Sequence, residues 1–157
     1  MTARTLHLDL LTPDETAERA AALGERLKPA DVVLLSGGVG AGKTHFARAL
    51  IRSVQEVPED IPSPTFTLVQ TYETSRGTLW HSDLYRIGSV SEIEELGLVE
   101  AFSEAVCLVE WPDRLGDLRP EDALEIELRS ATGEDERHLT ARWQDPKWDD
   151  RLRAWAA

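Results

Sequence analysis

The chain of 157 residues holds one cysteine, no asparagine and three lysines, and each shortage removes a class of function. A lone Cys107 inside the apolar run 106–109 excludes both a disulfide framework and a thiolate metal cluster, and reads as buried filler. Without asparagine, the Asn-Lys-x-Asp signature that reads guanine cannot be written, so a nucleotide ligand points to adenine. No apolar run nears the length of about 20 residues that spans a bilayer. Met1-Thr2-Ala3-Arg4 opens no signal-peptide pattern, and a cytosolic compartment is expected. Positive charge is also scarce: 17 bases face 29 acids, the net charge is −12, and no basic cluster interrupts it. Direct binding of nucleic acid, which needs a concentrated positive face, is disfavoured unless a partner supplies that face. A length of 157 residues suits one domain over residues 1–157 with a single sizeable core, and hydrophobic content of 41% with 29% charged residues is ordinary for a soluble globular protein.

Against this background stands one dense motif. Residues 37–44 read Gly-Gly-Val-Gly-Ala-Gly-Lys-Thr, a complete phosphate-binding loop, directly after the apolar run Val32-Val33-Leu34-Leu35. Glycines let the backbone turn several N–H groups toward phosphate oxygens, and the helix that follows adds unpaired N–H groups and its positive dipole end. Lys43 then reaches the β- and γ-phosphates, and the Thr44 hydroxyl holds the magnesium that travels with a nucleotide. Arginine outnumbers lysine by 14 to three, so a lysine retained here points to a role.

The pattern around the loop predicts an α/β fold. Residues 4–10 alternate as a half-buried strand, and Thr12-Pro13-Asp14-Glu15 starts a helix with Thr12 as cap, its face marked by Ala20, Leu23 and Leu27 and its end by Pro29. Phe46, Leu50 and Val54 give the helix after the loop its apolar face. Prolines 58, 62 and 64 stiffen the connection to a hairpin of strands over 66–72 and 78–81, turning at Ser75-Arg76-Gly77. Ser91-Glu92-Ile93-Glu94 reads as a capping box on a short helix ended by Gly97. The run 106–109 is apolar throughout, the mark of a strand covered on both faces, and is expected beside residues 32–35. Residues 124–128 and a return run ending at Trp143 form a second hairpin, and Trp148, Leu152 and Trp155 stripe a terminal helix.

Three clusters fall near the loop in this scheme. Ser63-Pro64-Thr65-Phe66-Thr67 carries small hydroxyls on a proline-stiffened segment; it is either a switch-like segment that meets the γ-phosphate or a surface turn. In His81-Ser82-Asp83-Leu84-Tyr85-Arg86, Asp83 fits two roles, ordering or activating a water or capping a turn. His81 has no second His or Cys at ligand spacing and reads as a packing or hydrogen-bonding histidine. Glu110, directly after a central strand, would face magnesium from the side opposite Thr44, or would be a solvated loop residue. Trp111 offers a flat face beside a nucleotide or a lid on the core.

These four motifs, Gly-Gly-Val-Gly-Ala-Gly-Lys-Thr, Ser-Pro-Thr-Phe-Thr-Leu-Val, His-Ser-Asp-Leu-Tyr-Arg and Leu-Val-Glu-Trp-Pro, resemble in order and spacing the TsaE (YjeE) family of bacterial ATPases, over roughly residues 5–140. Glu94-Glu95-Leu96-Gly97 also fits the family pattern. The resemblance implies a P-loop NTPase-like three-layer α/β sandwich with a mixed, largely parallel central sheet and a C-terminal antiparallel hairpin. It implies an ATP hydrolase with Mg2+ that serves threonylcarbamoyladenosine formation on tRNAs reading codons that start with A. Its partners would be the TsaB–TsaD complex, with TsaC supplying the activated intermediate, and tRNA would be met only through them. Carried over, Val39, Gly40, Ala41, Gly42, Lys43 and Thr44 bind the phosphates, Thr44 and Glu110 hold magnesium, and Asp83 positions water. Thr65 belongs to a switch segment, Trp111 lies near the nucleotide, and Glu15 matches a position near the adenine. Gly38 departs from the family, which more often has aspartate there, and residues from 145 onward match nothing diagnostic.

The rival reading is a small-molecule kinase using the same loop. Such enzymes need an arginine-bearing lid and an acceptor pocket, and no compact Arg-rich insertion is visible.

Overall fold

The computed structural model describes residues 3–38, 41–57, 60–62, 68–133 and 135–156. Strand β1, Arg4–Leu10, turns Leu6, Leu8 and Leu10 inward. Helix α1, Pro13–Gly24, starts as the sequence dictates: the Thr12 hydroxyl accepts from Glu15 N at 3.2 Å and the Glu15 carboxylate accepts from Thr12 N at 3.0 Å. The helix ends five residues before Pro29. Tight i→i+3 turns then carry Leu27 into the core, so this leucine packs as expected without being helical. Gly24 marks the close approach to the next helix, since a Cβ there would lie 2.6 Å from Ser53 Oγ.

Strand β2, Val32–Ser36, leads to α2, Lys43–Val54, followed by the hairpin β3, Val69–Thr74, and β4, Gly77–Asp83. The expected first residues of that hairpin, Phe66 and Thr67, lie outside the described residues. The capping box expected at Ser91 does not form. Helix α3, Val90–Glu95, begins after Ser89, which places Ser91 inside its first turn, and the Glu92 carboxylate reaches back to Gly88 N at 3.3 Å. Gly97, with φ of +79°, closes α3 as expected and opens α4, Leu98–Ala101. Strand β5, Val106–Glu110, a 3-10 helix over Pro112–Leu118, and the hairpin β6, Leu124–Ser130, and β7, Arg137–Trp143, complete the sheet. The terminal helix is two short pieces, α5, Lys147–Arg151, and α6, Arg153–Ala156, broken at Leu152.

The sheet runs β1-β7-β6-β2-β5-β4-β3. Its middle strands β6, β2, β5 and β4 are parallel, and antiparallel pairings attach β7, β1 and β3. Strand β2 thus lies between β5 and β6, buried on both faces, as its unbroken apolar run requires. One face packs against α1, α2 and the terminal helices, burying Phe46, Trp148 and Trp155. The other packs against α3, α4 and the 3-10 helix through Leu84, Ile93, Leu98 and Leu115. No helix among the described residues is long and apolar enough to cross a membrane.

Candidate functional site

Register across three adjacent strands builds the site. Leu35 of β2 stands opposite Glu110 of β5, and Glu110 stands opposite Asp83 of β4, so two carboxylates end their strands at the level where β2 enters the glycine loop. Carboxyl ends of parallel strands are where open α/β sheets bind ligands. Gly37, with φ of +141°, packs so closely on β6 that a Cβ would lie 2.3 Å from Leu128 O. Gly42, with φ of +101°, is the N-cap of α2 and offers no side-chain acceptor, and no acid stands in that helix's first turn. The first N–H groups of α2 therefore keep their demand for an acceptor, and the dipole end is not neutralised. Val39 and Gly40, expected to bind phosphate, lie outside the described residues, as does Thr65.

Lys43 opens α2 and folds back over the loop. Its ammonium donates to Gly37 O at 2.5 Å and Gly38 O at 3.1 Å, and sits 4.1 Å from the Trp111 ring centroid. Burial lowers its pKa below that of an ordinary lysine, a shift opposed by the Glu110 and Asp83 carboxylates. Next to it the Thr44 hydroxyl donates to Glu110 Oε1 at 3.2 Å. The other carboxylate oxygen meets His81 Nε2 at 2.7 Å. His81 is wholly buried and Glu110 is 2% exposed, so Glu110 is no solvated loop residue. The hydrogen-bonding role expected for His81 is borne out, and among the described residues its Nδ1 has no hydrogen-bond partner. Asp83, also buried, accepts from Tyr85 N at 2.9 Å and so caps a turn. Trp111 adopts left-handed backbone angles, φ 59° and ψ 54°, and its ring packs against Tyr85 in a tilted arrangement, centroids 4.8 Å apart and planes at 48°, while covering Lys43.

The donor set suits a hard dication. Two oxygens bound cis on a magnesium ion lie about 2.9 Å apart, given its bond lengths of about 2.0–2.1 Å. Thr44 Oγ1 and Glu110 Oε1 are 3.2 Å apart already. Among the described residues no group of three or more His, Cys, Asp and Glu surrounds a metal position, so such an ion would take its other ligands from phosphate and water.

Beside the N-terminus of α2 lies a cavity of about 150 Å³ lined by Pro13, Thr16, Gly42, His45, Asp135 and Arg137. Arg137 reaches across to donate from Nε to Ala41 O at 3.1 Å, and a His45–Pro13 O contact of 3.0 Å ties α2 to α1. Neither Arg137 nor His45 carries a local sequence signal; each is brought here by the pairing of distant elements. Glu15 adjoins this cavity in sequence, but its Oε2 is spent on Leu11 N at 2.6 Å and Thr12 N at 3.0 Å.

A glycine loop between a buried parallel strand and a helix, with lysine, threonine and glutamate converging on it, defines a mixed α/β protein equipped to hold an anion and a hard cation together. Residues 10–139 match the family model described as threonylcarbamoyl adenosine biosynthesis protein TsaE. The TsaE of Rickettsia felis is 44% identical over 121 residues, 77% of this chain and 71% of that protein. The TsaE of Bacillus subtilis is 37% identical over 131 residues, 83% of this chain and 80% of that protein. The crystal structure of Bacillus subtilis YdiB superposes with a TM-score of 0.80 at 28% identity, covering 99% of this chain and 97% of that one. The chain belongs to the TsaE family.

Proposed function

We propose that this protein is a magnesium-dependent ATPase of the P-loop type that serves threonylcarbamoyladenosine formation on tRNAs reading codons that start with A, in the cytosol, as a partner of a TsaB–TsaD complex. The convergence of Lys43, Thr44 and Glu110 at the mouth of β2 supports the reading most strongly. The names of the relatives support the pathway.

In this reading Lys43 exchanges the carbonyls of Gly37 and Gly38 for β- and γ-phosphate oxygens. The exchange needs no large movement, because the ammonium already lies over the loop. Residues 39–42 and the α2 N-terminus supply backbone donors to the phosphates. Thr44 and Glu110 would hold magnesium, whose charge offsets that developing on the phosphoryl oxygens. His81 holds Glu110 from behind and fixes the direction of its carboxylate. Asp83, clamped by Tyr85 N, is in register to orient the attacking water. Trp111 shields the lysine from bulk solvent, and Thr65 belongs to the segment that would meet the γ-phosphate. The cavity at Pro13, Thr16 and His45 fits one edge of an adenine, with Glu15 supporting its wall through the helix cap.

The test is phosphate release from Mg·ATP, measured with the chain alone and with TsaB–TsaD, TsaC and tRNA. Partner-coupled release and repeated rounds of tRNA modification that require this chain are expected. Lys43→Ala should lower turnover by about two orders of magnitude or more, by analogy with loss of a charge-stabilising donor. Glu110→Ala should raise the magnesium concentration needed. Transfer of the phosphoryl group to a metabolite, without free phosphate, would instead establish the kinase.

A further inference from the structure

Away from the loop, between β4 and α4, lies a cavity of about 310 Å³ lined by Thr78, Trp80, Gly97, Glu100, Ala101, Glu104 and Ala105. It exists because small residues face a large ring. Gly97, Ala101 and Ala105 follow at four-residue spacing along one wall, and a Cβ on Gly97 would lie 3.7 Å from the edge of the Trp80 indole. Trp80 is only partly buried. Among the described residues the indole N–H groups of Trp143, Trp148 and Trp155 each donate to a protein acceptor, whereas that of Trp80 meets none.

Electrostatics at this cavity is one-sided. No Lys, Arg or His occurs from Ile87 to Asp113, a stretch with seven carboxylates. Glu100 and Glu104 are exposed at the rim, and among the described residues neither they nor Glu94 and Glu95 form an ion pair. The Ala105 N–H bonds to Ala101 O, so the turn continues past α4 and keeps Glu100 and Glu104 one helical turn apart. Like charges at that spacing repel each other. An intramolecular cation would relieve this, and among the described residues none pairs with either acid.

We propose that this cavity is a docking pocket for an arginine side chain of a basic partner protein. The chemistry of the walls selects that occupant. A planar guanidinium stacks on the Trp80 face, its methylene stem lies along Gly97, Ala101 and Ala105, and its five N–H donors reach the Glu100 and Glu104 carboxylates. A phosphate backbone is repelled by the same two acids, and an apolar peptide leaves them without a counter-charge. The pocket lies apart from Lys43, Thr44 and Glu110, so the inference does not rest on the nucleotide reading.

Titration of the full ¹⁵N-labelled chain with the peptide acetyl-Gly-Arg-Arg-Gly-amide, followed at the indole N–H resonances, tests it. The five tryptophans provide their own controls, and Trp80→Phe assigns the reporting peak. A saturable shift confined to the Trp80 indole is expected. Glu100→Gln with Glu104→Gln should weaken it about fivefold or more, since each exposed pair contributes at most a small factor. The lysine counterpart of the peptide should bind more weakly. Shifts spread evenly over several indoles, affinity unchanged in the double variant, equal binding of the lysine peptide, or no shift of Trp80 would each overturn the proposal. Unchanged thermal unfolding of the double variant separates loss of binding from loss of fold.

Discussion

Lys43 and Glu110 show how neighbouring groups satisfy charges that burial would otherwise penalise. The ammonium uses loop carbonyls and the Trp111 face, and the carboxylate uses Thr44 and His81. Under the proposed function, an anion beside Lys43 and a dication beside Glu110 would be stronger partners than the loop carbonyls and the Thr44 hydroxyl, because charge-assisted contacts exceed neutral ones. Three residues before Glu110 on the same strand, Cys107 illustrates the opposite case, a group kept neutral by its surroundings. Burial raises its pKa from 9.0 to about 12. The folded state therefore keeps a proton that the unfolded chain releases, so this stabilisation is whole below pH 9 and is lost as pH rises toward 12. At pH 10.5 the loss from this group is about 2 kcal/mol, at about 1.4 kcal/mol per unit. Urea unfolding should show the stability gap between the wild type and Cys107→Ala narrowing by that amount between pH 8 and pH 10.5; a constant gap would refute the assignment. The loop lysine and threonine were legible in the sequence because their neighbours in the chain are also their neighbours in space. The Arg137 contact with Ala41 was not, because it spans 96 residues and depends on where β7 lies.

Helices and strands were readable where their signals are local. Helix α1 carries all of its start signals within four residues, and its reciprocal cap forms as written. Thr12→Ala should cost about 1 kcal/mol, the usual value of a lost N-cap, measured by chemical unfolding. No change would mean that the cap contributes nothing. The same logic failed at Ser91, where two serines two residues apart compete for the start of α3. Packing of Ile93, wholly buried beneath the sheet, is met by a helix that starts after Ser89, and the box is bypassed. Strand β5 was legible for a different reason. Four consecutive apolar residues between turn signals suit a strand covered on both faces, and the structure pairs that strand with β2. The end of α1 was misread because Leu27 satisfies the helical period while lying in a tight turn.

The assembled sheet explains what no single segment could. Strand order brings β4, β5 and β2 side by side, and this alone turns three separated motifs into one site. It also assigns a place to the tail beyond residue 145, which carried no diagnostic motif. Trp148 and Trp155 pack into the core shared with α1 and α2, and Arg151 forms two contacts, at 2.5 and 3.2 Å, with Asp31 at the entry to β2. Asp31 is 2% exposed, and Lys147 at 3.3 Å is a second cation beside it. Removing one member of a buried pair costs about 3–5 kcal/mol, and the remaining lysine reduces this, so Arg151→Met should destabilise by about 2–3 kcal/mol. Asp31→Asn combined with Arg151→Met should recover part of the loss; strict additivity in unfolding experiments would show that the two do not act together.

The central claim is that the glycine loop, Lys43 and the Thr44–Glu110 pair bind a magnesium-bound triphosphate. Isothermal titration of the full chain with Mg·ATP measures this directly. Saturable binding of one nucleotide per chain, abolished in a folded Lys43→Ala variant, is the predicted result; absence of binding by the wild type, both alone and with TsaB–TsaD, would contradict it.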